Sequence, residues 1–160
     1  LYFMAWIELA AADIQQKISS DEYEAITEAS LPDGVTGPEI VASEIGRTVA
    51  MVRGYVAANV ENVLGSGETI PNELSDAALC VLRHKVFTRI PGMKRLLDEG
   101  RVREYDDALR QLKDVAVGRF KLVAAATPAE DQAGGGTVQV IAPSRTARES
   151  RATMNGGGLL

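Results

Sequence analysis

Cys80 and His84 stand four residues apart, a spacing that places both on one face of a helix, and together they could begin a metal site. A structural zinc takes four ligands, however, and these are the only cysteine and the only histidine in the chain. The residues therefore favour a packed histidine and a buried, inert thiol, with no metal and no cofactor expected. Gly65-Ser66-Gly67 has the composition of a phosphate loop, but no strand pattern precedes it and no Gly-Lys-Ser/Thr follows. It reads as a turn between helices. The paired acids Asp106-Asp107 and Glu22-Tyr23-Glu24 are expected on solvated helix faces, since a glycosidase-type pair needs a cleft rich in carboxylates and aromatics. Nucleophile, base and orienting group do not come together anywhere in the sequence, so no enzyme is expected.

Basic residues are the remaining candidates. Arg83, Lys85 and Arg89, continued by Lys94 and Arg95, could form one basic helix face able to contact phosphates. A small helical DNA-binding regulator is thus the alternative function class, with a recognition helix offering Arg, Lys, Asn or Gln to bases. The formal net charge of −5 works against it, because gripping phosphates needs a concentrated cationic surface. An interface with an acidic neighbour is the preferred reading of Arg89, Lys94 and Arg95.

The chain that must position these residues has 160 residues, 46% of them hydrophobic and only 5% aromatic. That is enough for one core, built from Ala, Val and Leu, and it favours interdigitating helices over a sandwich filled by large rings. No apolar run approaches the roughly 20 residues that span a bilayer, and no basic segment with an apolar signal core opens the chain. Synthesis and assembly in a cytoplasm, without a membrane partner, are expected. Leu1-Tyr2-Phe3 before Met4 looks like the remnant of a cleavable tag.

Periodicity predicts an all-α bundle of about five to six helices over residues 4–122. A short helix runs from Leu9 to Ser19, and a second, Asp21 to Ala29, starts with Ser20 as its cap and ends before the turn Pro32-Asp33-Gly34. Gly37-Pro38-Glu39 opens the longest helix, in which Val41, Ile45, Val49, Val52, Val56 and Val60 recur at helical spacing to about Leu64. Gly46 and Gly54 lie inside it, explained either by close approach of a neighbouring helix or by tolerance. The helix from Asn72 to about Ile90 is apolar on several sides and is expected at the centre; Pro91-Gly92 ends it, and a short turn, Met93 to Asp98, follows. From Arg101 to Gly118 a clean stripe of Val102, Tyr105, Leu109, Leu112 and Ala116 forms the last wall.

Beyond this bundle the composition changes. Residues 123–136, with Thr127-Pro128 and the run Gly134-Gly135-Gly136, read as a flexible linker, and 137–160 as a C-terminal assembly tail. Thr137, Val138, Gln139, Val140 and Ile141 could add one short strand to a partner's edge, and Arg145, Arg148 and Arg151 follow at three-residue spacing.

Several pieces in order resemble one family. Tyr105-x-x-Ala108-Leu109-x-x-Leu112, then Gly118, a basic residue and Leu122, is similar to the end of the helical core of small Mu-like phage neck proteins, the head-to-tail connector or head-completion family. A helical pair over Ile14 to Ala29, Arg53-Gly54-Tyr55-Val56-Ala57, and a Pro71-x-x-Leu74 entry into an Ala-rich helix stand in the matching order, while Asn59, Glu61, Asn62 and the Gly-Ser-Gly connector depart from the pattern. The resemblance implies a structural virion-assembly protein located at the neck, forming an oligomeric ring of itself between portal protein and tail or neck proteins. It implies that DNA passes through the lumen without sequence-specific binding. Thr137, Val138, Val140, Ile141, Arg145, Arg148, Arg151, Arg89, Lys94 and Arg95 are the interface residues expected on this reading.

Overall fold

Helix starts are written into short polar pairs. Ser19 accepts from the Glu22 N–H at 3.3 Å while the Glu22 carboxylate accepts from the Ser19 N–H at 2.8 Å, a reciprocal capping box that starts α1, Ser20–Glu28. The cap is thus Ser19, not Ser20, because only Ser19 has a glutamate three residues on. At α2, Gly37–Ala58, Glu39 accepts from both the N–H and the hydroxyl of Thr36, at 2.8 and 2.9 Å. Asp98 accepts from the Arg101 N–H at 2.8 Å and starts α4, Glu99–Ala116, two residues earlier than the stripe predicts. Between them lies α3, Ser75–Arg89.

The computed structural model describes residues 6–123. Its short helical pieces are 3-10 segments at Ala11–Gln16, Asn72–Leu74 and Lys94–Leu96, the first replacing the helix expected from Leu9 to Ser19. Helices dominate, as the periodicity predicts, but a two-stranded antiparallel sheet joins β1, Trp6–Ile7, to β2, Ile70–Pro71, with Trp6 opposite Pro71. Two-residue strands carry no alternation to read. Residues 1–3 and the expected linker and tail lie outside the described residues, apart from Val123.

Ion pairs and side-chain hydrogen bonds give the helix directions. Glu44, early in α2, meets Arg89 at the end of α3 at 2.7 Å, and Arg53, late in α2, donates to the Thr69 carbonyl just ahead of α3. Arg83 of α3 meets Glu104 of α4 at 2.7 Å, and Gln111 further along α4 reaches the Glu73 carbonyl. Consecutive long helices therefore run antiparallel. One end of the bundle gathers the end of α2, the start of α3 and the end of α4; the other gathers the end of α1, the start of α2 and the α3–α4 connection.

The core contains the expected Val and Leu, with Val52, Val56, Leu74, Leu82, Val86 and Leu112 fully buried, but its largest fully buried side chains are Phe87 and isoleucines such as Ile40, which the composition does not single out. α3 is central and buried continuously from Ala77 to Arg83. α2 stops at Ala58 instead of Leu64, because Asn59 and Asn62 divert the backbone: Asn59 accepts from the Glu61 N–H, and the Asn62 amide donates to the Val56 carbonyl. Val60 consequently leaves the apolar stripe for solvent, 96% exposed. Gly46 and Gly54 would meet nothing within 4 Å if they carried a Cβ, so these glycines are tolerated and do not admit a neighbouring helix. Gly37 is different. A Cβ there would lie 1.7 Å from the Ile26 carbonyl oxygen, so the α1–α2 corner requires glycine.

The stripe of α4 is rotated from its expected centre. Ala108, Leu112 and Val115 are buried, Tyr105 and Leu109 are half-buried, and Val102 is exposed. The cause lies on α3, where Ala77, Cys80 and Val81 form a small-residue surface into which Ala108 packs. Size complementarity moved the contact by a fraction of a turn.

Candidate interface surfaces

Cys80 and His84 both lie on α3, as their spacing predicts, but in different surroundings. Cys80 is buried, and that burial pushes its thiol above the ordinary value. His84 stacks on Tyr105 of α4 with ring centroids 3.9 Å apart and planes 11° from parallel. Burial, with the adjacent Arg83 charge, lowers its pKa, and its Nδ1 is buried without a hydrogen-bond partner among the described residues. No group of three or more His, Cys, Asp or Glu side chains is placed to hold a metal among those residues.

The expected basic helix face is taken apart by packing. Arg83 points inward, donating to the Lys17 carbonyl at 3.1 Å and to Glu104 at 2.7 Å. Glu44 is buried and accepts from both Arg89, at 2.7 Å, and Arg47, at 3.0 Å. Arg89 is thereby committed to an intramolecular partner. Burial lowers the pKa of Lys85 beside them. Of the five residues expected on that face, only Lys94 and Arg95, on the 3-10 segment after α3, are exposed. Acidic expectations change too, because Glu22 is not a solvated surface acid: it takes both guanidinium nitrogens of Arg101, at 2.6 and 3.1 Å, tying α1 to α4. Burial opposes ionisation of Glu22, but the Arg101 and Ser19 hydrogen bonds outweigh it and hold its carboxyl below the ordinary value. Asp106 and Asp107 are exposed, as read.

The Gly-Ser-Gly connector presents the wrong polarity for phosphate. Arg53 donates to the carbonyls of Thr69 and Gly65, at 2.7 and 3.1 Å, and its guanidinium lies 5.9 Å from the Trp6 ring centroid. The loop thus turns carbonyl oxygens toward a cation, and its order comes from a side chain a dozen residues away.

Surface clefts among the described residues include three that follow from this packing. A cleft of about 250 Å3 between α3 and α4 is lined by Lys17, Asp76, Glu104 and Asp107, with Lys17 and Asp76 ion-paired across it. One of about 330 Å3 between α2 and α3 carries Glu44, Arg47, Lys85 and Arg89. The third, about 420 Å3, lies at the end of the bundle where α1 and α3 finish; Ala25, Ala29, Ile90, Pro91, Met93 and Leu96 line it, with Glu28 and Arg95 also present. At the opposite end Val60, Val63 and Val117 are at least 66% exposed and Leu64 39%. Sequence reading missed this apolar group because Val60 continues the helical spacing of α2. The signal available was the pair of asparagines, Asn59 and Asn62. Thr137, Val138, Val140, Ile141, Arg145, Arg148 and Arg151 lie outside the described residues.

No helix among the described residues is long and apolar enough to cross a membrane. Fold and surfaces together define a small helical-bundle protein with charged clefts along its flanks and apolar groups at its ends. Comparison with protein-family models matches the family described as Bacteriophage Mu, Gp36 over residues 9–140, and the chain belongs to that family. It is a Mu-like phage protein, and the membership points to a virion-associated structural or assembly part. No curated protein and no solved structure matches.

Proposed function

We propose that this protein completes the phage head as a connector: copies form a ring between the portal and the tail, and the protein works through surfaces, without catalysis. The observation that carries this reading is the family match, which runs past the end of α4 to residue 140 and so takes in both the bundle and most of the Thr137–Ile141 segment. A ring needs heterologous contacts, one surface of each copy meeting a different surface of the next, and closure sets the copy number. Rigid bundles supply the walls. Thr137–Ile141 is the proposed arm, adding a strand to a neighbour, and weak single contacts of this kind hold when many copies act together. The net charge of −5 lets DNA pass without being gripped.

Electron microscopy or light scattering at high concentration, and with portal protein present, tests the reading. Rings are expected; persistent monomers even with portal would count decisively against it. A DNA-binding regulator would instead show duplex binding that weakens steeply with salt. Among the described residues, the inward Arg83 and the Glu44–Arg89 pair take two cations out of the helix face on which that reading rests.

A further inference from the structure

The two ends of the bundle are complementary. At one end, Asn59 and Gly118 lie side by side, a Cβ on Gly118 falling 3.2 Å from the Asn59 amide nitrogen, so the Val60–Leu64 connector and Val117 form one apolar knob. Scattered exposed valines need no explanation, but four large apolar side chains gathered at one end of a small protein mark an interaction surface. At the other end is the cleft of about 420 Å3, its floor made by Ile90 and Met93, which are nearly fully buried, and its wall by Ala25 and Ala29. α2 has 22 residues, about 33 Å at the helical rise, and lies between the two ends. No copy can fill its own cleft. Charge favours the pairing as well: the exposed Glu61 sits within the knob, and at the cleft the exposed Arg95, with the exposed Lys94 before it, outweighs the single acid Glu28, none of the four being in an ion pair among the described residues.

We infer that the knob of one copy docks in the cleft of a second copy, with Glu61 of the first against Arg95 of the second, and that this end-to-end contact is the heterologous interface of the ring. The inference rests on the ring reading and adds to it the two surfaces that meet. Knob and cleft are different patches, so each docked copy leaves one of each free for the next, and the chain of contacts closes if the rotation per step allows.

Full-length chains carrying Val60→Cys and Ala25→Cys separately test it, because both positions are exposed and neither change touches the core. Mixed and oxidised, at high concentration or assembled on portal, they should give a disulfide-linked dimer that neither variant gives alone. The double variant should give a ladder ending at the ring's copy number. Rings seen by microscopy without that mixed disulfide would overturn the contact and leave the ring reading standing, whereas absence of both rings and disulfide would remove both. A ladder without a closed species would uphold the contact and remove the ring. Linkage of Val60→Cys to portal, or within one chain, in place of a second copy would overturn the inference. Independently, Glu61→Arg and Arg95→Glu should each weaken assembly roughly tenfold and together restore it; a double variant as weak as the single ones would overturn the contact.

Discussion

His84 and Leu112 show how much a single residue's environment decides. A folded-state pKa below the unfolded value means that the unfolded chain takes up the proton first, so the contribution of His84 to stability is present above about pH 6.5 and is lost as pH falls below it. Denaturant unfolding followed from pH 8 to 5 should show this loss, and His84→Phe, which keeps a ring against Tyr105, should flatten the profile in that window. An unchanged slope would mean that His84 does not titrate differently in the two states. Leu109 and Leu112 both lie on the predicted stripe, but only Leu112 is fully buried. Leu112→Ala should therefore cost about 2 to 5 kcal/mol and Leu109→Ala about 1 to 2, measured by the same unfolding experiment. Equal losses would show that the stripe is centred where the sequence alone puts it.

Helices of this protein are delimited by side chains just outside them. Ser19 and Ser20 are adjacent and chemically identical, yet only Ser19 closes a capping box with Glu22. Ser19→Ala should lower stability by about 1 kcal/mol and Ser20→Ala by much less, a difference that thermal melts resolve. Glu22 also carries the tie between α1 and α4 through Arg101. Its carboxyl pKa is lower in the folded than in the unfolded protein, so its contribution is present above the ordinary carboxyl range and is lost as pH falls through the folded value. Glu22→Gln should reduce stability at neutral pH and shrink the acid-induced loss; a variant with the native acid profile would assign that loss to other carboxylates. The position of Pro38 is legible in sequence order, whereas the cap of α1 is read one residue late, at Ser20, because serine type alone does not separate it from Ser19 and the glutamate three residues on does. The end of α2 is not legible, because valine spacing continues past it while the asparagine side chains that stop it act through local hydrogen bonds.

At the scale of the molecule, bundle and tail are expected to separate their tasks. Truncation after Ala126 should change unfolding free energy by no more than about 0.5 kcal/mol while impairing ring assembly, with melts and electron microscopy as the two readouts. Unfolding on truncation would make the tail part of the bundle. The antiparallel run of α2, α3 and α4 places the apolar connector and the apolar cleft at opposite ends, and that placement makes end-to-end contact between copies possible.

Helical class, the central place of α3 and the membership of a phage family all follow from patterns local in the chain: apolar spacing and the order of short motifs. Which charges face solvent does not, since Arg83, Arg89 and Glu22 find partners 21, 45 and 79 residues away. A basic face read along one helix counts every charge on it, whereas folding subtracts each one that a distant helix neutralises. The cleft is assembled in the same way, from α1 and the α3–α4 connection. Periodicity records which residues must be buried; only tertiary contact decides which surfaces remain to meet a partner.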